Sequence, residues 1–316
     1  MSGEPLRLGT RKSPMAMTQS SHVARMITEC TGRAVELVEV TTFGDVSQAH
    51  LAQIGGSGVF ASALRQRLRS GAVDLAVHSL KDLPTSPAEG IVLAAVPPRG
   101  DPRDALAARD GAKLADLPPG ARIGTGSARR AAQLTLLRPD IRSVPIRGNA
   151  GTRLGKVGSG ELDAVVLAAA GLARIGLMDA VTQLFDPEDM VPAPGQGALA
   201  VECLDDAPEL AALLSSIDDS RSRAAVTAER SLLAALEAGC SAPVGAYAAG
   251  TAIHLHLQAV VVGSTDGQPA LRAARSGPAS DAEQLGHQLA AELISRGAGT
   301  LISVPLARSS DGEDAQ

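Results

Sequence analysis

The chain has 316 residues, of which 45% are hydrophobic and 20% charged, so it can bury a sizeable core and does not have the composition of a disordered protein. Its 29 Lys and Arg residues stand against 34 Asp and Glu residues, a formal net charge of −5 that argues against a general nucleic-acid binder, because such proteins need a basic face. Aromatic residues make up 1% of the chain, which excludes base-stacking platforms as well.

Neither a secretory signal nor a membrane span is expected. The N-terminal stretch MSGEPLRLGTRKSP lacks an apolar core, and no run approaches the ~20 apolar residues that a span needs. The three cysteines form no CxxC pair, which argues against a disulfide framework or a zinc site, and the six histidines form no HExxH motif. The sequence therefore predicts a reduced, cytoplasmic, globular protein with no metal, no nucleic-acid partner and no membrane partner.

The first part of the chain alternates short apolar runs with helical stretches. Predicted strands and helices follow one another as strand 6–9, helix 14–31, strand 34–40, helix 59–69 and strand 73–77. Residues 41–58 lack a sustained period and end in a glycine cluster, so we expect a mobile loop there. This order predicts an α/β fold with a mostly parallel sheet covered by helices.

Two breaker-rich segments, PPRGDPR at 97–103 and PAPGQG at 192–197, enclose a second α/β series. Its predicted elements are strand 122–124, helix 127–137, strand 141–146, a helix from about 151 and strand 164–167. An apolar strand at 198–202 follows the second segment. We therefore expect two α/β domains with crossed hinges, the first formed by 1–97 with 198–216 returning to it, and the second by 98–197. A ligand would lie in the cleft between them.

The pattern changes from residue 217. A long helix at 220–237 is followed by alternating strands at 253–262 and 269–275 and by a helix at 282–295. This order predicts a smaller α+β third domain, 217–308, with a polar tail at 309–316.

The segment VDLAVHSLKDLP places polar side chains directly after a buried strand. Ser79, Lys81 and Asp82 stand where side chains reach the ligand crevice of an α/β sheet. The alternative interpretation is that Asp82 caps a turn and that Lys81 is solvated.

The segment GTGSARRAAQL opens a predicted helix with Thr125 and Ser127, whose hydroxyls and backbone N–H groups suit an anion. Arg129 and Arg130 lie in the first helical turn, where the helix dipole disfavours cations. An anionic ligand would compensate for them, although a solvated basic helix face is the alternative.

Further arginines stand after other predicted strands. Arg147 and Arg153 belong to IRGNAGTRL, Arg11 follows the first strand, and Arg174 follows strand 164–167. Guanidinium groups bind carboxylates in a bidentate manner, so this cluster in an acidic protein implies a ligand with several carboxylates or phosphates. No phosphate-loop signature is present, which makes nucleotide binding a weak interpretation.

Cys240 stands in EAGCSAPVG, between a predicted helix and a strand. A lone cysteine is commonly a small buried apolar residue. A cysteine in a glycine-flanked loop is also accessible enough to act as a thiolate nucleophile or attachment point.

The blocks VHSLKDLP, GTGSARR, IRGNAGTRL, PAPGQGA and VTAERSLLAALEAGCSAPVGAYA together resemble the porphobilinogen deaminase (hydroxymethylbilane synthase) family, in the order and spacing of that family. The resemblance implies two periplasmic-binding-protein-like domains with crossed hinges and a smaller third domain. It also implies an enzyme, expected to be monomeric, that condenses four porphobilinogen molecules head to tail into hydroxymethylbilane with release of ammonia.

The resemblance further implies residue roles. The family carries a dipyrromethane cofactor, two linked porphobilinogen units held by a cysteine thioether, and the matching position is Cys240. The carboxylate partner of the pyrrole nitrogens matches Asp82, the implied catalytic residue. Side chains implied for the cofactor are Lys81, Thr125, Ser127, Arg129 and Arg130. Side chains implied for the substrate are Arg11, Ser13, Gln19, Arg147, Arg153 and Arg174.

Two positions depart from the family pattern. Ser57 stands where the family commonly has Lys, and Phe43 replaces the usual residue of TTRGD, so lid contacts do not carry over to the expected loop. Two other functions compete with this interpretation, namely a non-enzymatic anion-binding protein of the same two-domain fold and an enzyme that acts on polyphosphorylated substrates. Cys240 and the third domain count against the first, and the missing phosphate loop counts against the second.

Overall fold

The structure is a computed structural model, and it describes residues 4–40, 59–239, 242–263 and 270–302. The expected loop at 41–58, the tail at 309–316 and the positions of Phe43, Ser57 and Cys240 lie outside these residues.

Strands and helices alternate through much of the described chain. The strands are β1 (Leu6–Arg11), β2 (Val35–Val40), β3 (Leu75–Ser79), β4 (Ile91–Ala95), β5 (Asp104–Ala108), β6 (Arg122–Gly124), β7 (Arg142–Val144), β8 (Ala164–Ala168), β9 (Gln183–Leu184), β10 (Leu199–Leu204), β11 (Val244–Gly250), β12 (His254–Val262) and β13 (Ala270–Pro278). The helices are α1 (Pro14–Thr31), α2 (Val59–Arg69), α3 (Ala128–Leu137), α4 (Ala150–Gly158), α5 (Ala169–Arg174), α6 (Pro208–Leu214), α7 (Ser220–Ala235), α8 (Ala282–Ser295) and α9 (Ala298–Ile302).

Two five-stranded sheets form the α/β part of the molecule, with strand orders β2-β1-β3-β10-β4 and β7-β6-β8-β5-β9. Strand β1 is parallel to β2 and β3, whereas β10 is antiparallel to β3 and β4. Strand β6 is likewise parallel to β7 and β8, whereas β5 is antiparallel to β8 and β9. Four of the five strands in each sheet therefore run in the same direction, and the expectation of a mostly parallel sheet is confirmed. In both sheets the antiparallel strand is the one that the chain forms directly after crossing from the other sheet.

The third sheet is an antiparallel meander in the order β11-β12-β13. Helices α7 and α8 pack on it and on each other, and their shared core contains the fully buried Leu232, Leu257 and Leu289. The α/β fold class with a smaller α+β part is thus confirmed. The exact domain boundaries stay a prediction, although β10 lies in the first sheet.

Local capping explains where several helices begin. The side chain of Ser13 accepts from the backbone N–H of Ala16 at the start of α1, and Pro14 takes the first helical position. Asn149 caps α4 in the same way through the N–H of Thr152, at 2.8 Å. None of the described helices combines the length and apolar character that crossing a membrane would require.

Candidate active site

A cavity of about 900 Å³ lies between the two α/β halves. Its wall comes from the ends of β1, β3 and β8 and from helices α1, α4 and α5. Ten of the residues that the sequence singled out line this cavity: Arg11, Ser13, Gln19, Ser79, Lys81, Asp82, Arg130, Arg147, Arg153 and Arg174. Residues separated by as many as 163 positions in sequence (11 to 174) therefore meet at one site.

The charge of the wall is strongly one-sided. Among the described residues that line it, one carboxylate, Asp82, stands with six cations: Arg11, Lys81, Arg130, Arg147, Arg153 and Arg174. Such a concave, basic surface in an acidic protein concentrates a polyanionic ligand. The remaining wall is largely apolar, with Leu167, Leu172 and Ile175 on the side of the second sheet.

Asp82 ends a short 3₁₀ turn, Leu80–Asp82, that follows β3 directly. Its side chain is exposed to the cavity, while Leu80 beside it is fully buried. The buried leucine fixes the turn against the core, and the carboxylate remains accessible to a ligand. Among the described residues no side-chain hydrogen bond caps this turn, which does not support the alternative of a capping Asp82.

Lys81 is half-buried, and its Nζ donates to Oε1 of Gln196 at 3.2 Å. Burial and then the charge of Arg130 lower the pKa of Lys81 to about 8. Its ammonium is therefore easier to neutralise than that of a solvated lysine, and a bound carboxylate would favour the protonated form.

Gln196 links the two halves of the site. It is fully buried, and its Nε2 donates to the carbonyl of Pro102 at 2.7 Å and to Asp104 Oδ1 at 2.9 Å. Its Oε1 accepts from Lys81 after β3 and from Arg130 on α3. The segment PAPGQG was predicted as a hinge, but this glutamine was not identified from the sequence, because its partners come from three distant parts of the chain.

Arg129 and Arg130 are both buried, and both bind Asp104 at the start of β5. Arg129 Nη1 lies 2.7 Å from Asp104 Oδ2, and Arg130 Nη2 lies 2.7 Å from Asp104 Oδ1. Burial alone would raise the pKa of Asp104, but the two guanidinium groups overcome this effect and hold it well below its ordinary value. The anion that offsets two cations in the first turn of α3 is thus a residue of the chain itself. Arg130 still reaches the cavity, whereas Arg129 lies behind its wall and also donates to the carbonyl of Val191.

Asp104 was not identified from the sequence. The only available signal is a carboxylate at the start of the apolar run DALAA, a place where an unpaired charge would be costly.

Two predicted residues, Thr125 and Ser127, stabilise the turn before α3 but do not line the cavity. Thr125 Oγ1 accepts from the backbone N–H of Ser127 at 3.2 Å, and Ser127 Oγ caps α3 through the N–H of Arg130. They hold the Gly-Thr-Gly-Ser turn in the conformation from which Arg130 projects.

Two further cavity arginines, Arg153 and Arg174, are held by backbone carbonyls. Arg153 Nε donates to the carbonyl of Gly148 at 2.9 Å, and Arg174 Nη2 donates to that of Gly197 at 2.6 Å. Burial lowers the pKa of both guanidinium groups, which remain charged at neutral pH because an arginine begins from so high a value. On the opposite wall, Gln19 Nε2 donates to Ser79 Oγ at 3.0 Å.

Comparisons with known proteins find relatives that extend over nearly the whole chain. Two family profiles match, the dipyrromethane cofactor binding domain of porphobilinogen deaminase at residues 6–212 and the porphobilinogen deaminase C-terminal domain at residues 223–295. Porphobilinogen deaminase of Thermobifida fusca is 59% identical over 96% of this chain and 97% of its own length. Porphobilinogen deaminase 1 of Streptomyces coelicolor is 56% identical over 96% of this chain and 98% of its own length.

Among solved structures, a periplasmic substrate-binding protein of an ABC transporter from Coxiella burnetii matches 67% of this chain and 91% of its own, with 16% identity and a TM-score of 0.42. The family profiles and the relatives extend over nearly the whole chain. The chain therefore belongs to the porphobilinogen deaminase family.

Proposed function

We propose that the chain is a hydroxymethylbilane synthase, a transferase of tetrapyrrole (haem) biosynthesis that joins four porphobilinogen molecules head to tail and releases ammonia. The observation that supports this function is the cavity, whose described lining residues place six cations with one accessible carboxylate, Asp82. Each porphobilinogen brings two carboxylates, so the growing product needs a basic cleft with one acidic group at the reacting centre.

The cavity also fits the dipyrromethane cofactor that the matching family profile names. Two linked porphobilinogen units bring four carboxylates, and a wall with six cations can pair with them. In this proposal Lys81 and Arg130 bind the cofactor from the wall. Thr125, Ser127 and Arg129 support the same subsite from behind, and Cys240 supplies the covalent attachment. When bound, the cofactor provides the pyrrole carbon to which the first substrate is joined.

The proposed substrate residues lie on the rest of the wall. They bind the carboxylates of incoming porphobilinogen or of the extended chain, and they are Arg11, Ser13, Gln19, Arg147, Arg153 and Arg174. Because several of these side chains come from helices of different halves, small movements between the halves would adjust their spacing as the product lengthens.

Asp82 is the proposed catalytic residue. Loss of ammonia from porphobilinogen leaves a cation conjugated with the pyrrole nitrogen, and a carboxylate beside it stabilises that charge. After the new carbon–carbon bond forms, the same carboxylate assists removal of the proton from the attacked ring. The cationic wall meanwhile anchors the carboxylates and orients the reacting carbon atoms.

A cytoplasmic location and a monomeric state are part of this proposal. They follow from the reducing compartment that the cysteine pattern indicates and from the family resemblance. The domain division at 97, 197 and 216 is proposed with them. Native mass tests the monomeric state, and limited proteolysis tests the domain boundaries.

The test of the function is conversion together with intact mass. Purified protein should consume porphobilinogen and carry a covalent mass equal to one dipyrromethane. Cys240→Ser should lose both properties, whereas Cys30→Ser and Cys203→Ser should keep both. Protein that binds porphobilinogen with no added mass and no turnover would instead be an anion-binding protein, and an active Cys240→Ser enzyme with covalent cofactor would refute the attachment site.

A further inference from the structure

Arg230 on helix α7 binds backbone carbonyls of the turn that carries Asp82. Arg230 Nη1 donates to the carbonyl of Leu83 at 3.0 Å and lies 3.4 Å from that of Leu80. Its Nη2 donates to the carbonyl of Pro84 at 2.6 Å. The three carbonyls lie on both sides of Lys81 and Asp82 in sequence, so one side chain holds both ends of the reactive turn.

Apart from the packing of Leu80 and Leu83 in the core, few hydrogen bonds among the described residues hold the backbone of this turn. Its 3₁₀ segment spans three residues, and a segment of this length has little intrinsic stability. Two backbone hydrogen bonds join it to described residues: the N–H of Leu80 donates to the carbonyl of Ala198 and the N–H of Leu83 donates to that of Leu80, both at 3.1 Å. The carbonyls of Leu83 and Pro84 therefore depend on Arg230, since a partly buried carbonyl without a donor is costly.

Arginine suits this role because its planar guanidinium presents several N–H groups in a fixed arrangement. Arg230 is half-buried, and burial is the main cause that lowers its pKa, yet arginine remains charged at any physiological pH. A lysine at this position would donate from one nitrogen atom only and could not span the three carbonyls in the same way.

The neighbouring residue, Glu229, binds helix α7 to the elements around it. Glu229 is fully buried, and its carboxylate accepts from Arg99 Nη1 at 2.6 Å, from the N–H of Gly195 at 2.7 Å and from the N–H of Ala248 at 2.8 Å. These contacts join α7 to β11 and to the two segments in which the chain crosses between the halves, 97–103 and 192–197, here called the crossing segments. Helix α7 is thus a rigid support, and Arg230 transmits its position to the Asp82 turn.

We propose that Arg230 is a positioning residue for Asp82, acting through the carbonyls of Leu80, Leu83 and Pro84. This inference rests on the proposed function, in which Asp82 is the catalytic carboxylate. The sequence of α7 continues toward Cys240, so the helix that leads to the proposed attachment residue also sets where the carboxylate lies. A displacement of about 1 Å at a reacting group can lower the rate about a hundredfold.

The test compares Arg230→Gln with Arg223→Gln. Arg223 lies two turns earlier on α7 and donates to the carbonyls of Leu93 and Ala94, so its loss breaks a similar link away from Asp82. Arg230→Gln should lower kcat at least about tenfold with KM within about threefold and with the cofactor mass retained. Amide hydrogen exchange at residues 80–83 should become faster. Arg223→Gln should keep kcat and the exchange of this turn, and Arg230→Lys should recover part of kcat.

A double-mutant cycle separates positioning from general stability. Because Arg230 acts through Asp82, Arg230→Gln should slow the Asp82→Asn enzyme by less than about twofold. An equal loss in both backgrounds, or a kcat of Arg230→Gln within about twofold of the wild type, would overturn the inference. If Arg230→Gln does not fold, Arg230→Lys takes its place. An equal loss in the wild-type and Asp82→Asn backgrounds, or a kcat within about twofold of the wild type, would then overturn the inference. A wild-type protein without turnover would refute the proposed function alone. Exchange at residues 80–83 in Arg230→Gln would still test whether Arg230 holds the turn.

Discussion

Lys81 gives the cavity a pH dependence close to neutrality, because burial and Arg130 lower its pKa to about 8. Below that value its ammonium is charged and can pair with a carboxylate. As the pH rises through 8 the empty site loses this charge, so a carboxylate ligand must restore the proton in order to bind.

We therefore expect porphobilinogen to bind Cys240→Ser protein about tenfold more weakly at pH 9 than at pH 7, as measured by calorimetry. In a Cys240→Ser/Lys81→Arg protein the guanidinium stays charged over this range, and the dependence should be nearly flat. Equal slopes in the two proteins would assign the titration to another group, such as the amine of the substrate.

At the scale of elements, α4 is a weak helix that carries a cavity arginine. It has nine residues, three of them glycine, and it begins at the cap Asn149. Glycine inside a helix costs roughly 1 kcal/mol relative to alanine, so the cap contributes a large share of the stability of this helix and of the position of Arg153.

Asn149→Ala should accelerate hydrogen exchange throughout α4, lower the free energy of unfolding by about 1 kcal/mol and raise KM. Gly155→Ala should act in the opposite direction by about 0.5–1 kcal/mol, because a Cβ at Gly155 would meet no atom within 4 Å. The double variant should regain most of the exchange protection and of KM. A raised KM that Gly155→Ala does not reverse would show that Asn149 contacts the ligand directly and that helix stability is not the cause.

Elements with local signals were predicted from the sequence almost to the residue. Helices 14–31, 59–69 and 282–295 agree with the structure in both bounds, because periodicity and breakers lie within the segments themselves. Strands β4, β5, β9 and β11 were not predicted, and neither was the one antiparallel strand of each five-stranded sheet, since strand pairing is decided by distant parts of the chain. For the site, strand ends identified the cations of the cavity, whereas Asp104 and Gln196 depend on which strands become neighbours.

The whole molecule is organised around the place where the two crossing segments meet. The N–H of Gly100 on the first segment donates to the carbonyl of Gly197 on the second at 3.2 Å, and Arg99 Nε donates to the carbonyl of Gln196 at 2.8 Å. Arg174, a cavity residue, donates to the same carbonyl of Gly197. The contact between the halves and the position of a proposed substrate residue therefore share one backbone group.

Gly197→Ala tests this shared contact. Gly197 has φ +88°, and a Cβ there would lie 2.6 Å from the carbonyl oxygen of Gly100, so the substitution combines backbone strain with a clash against rigid backbone. We expect the free energy of unfolding to fall by about 2–4 kcal/mol and kcat/KM to fall with it, measured by urea titration and steady-state assay. Gly120→Ala is the matched control, because Gly120 has φ +76° and open space around the added carbon, so only about 1 kcal/mol should be lost with full activity. Equal losses of stability in the two variants, or unchanged kcat/KM in Gly197→Ala, would show that the crossing does not constrain the site.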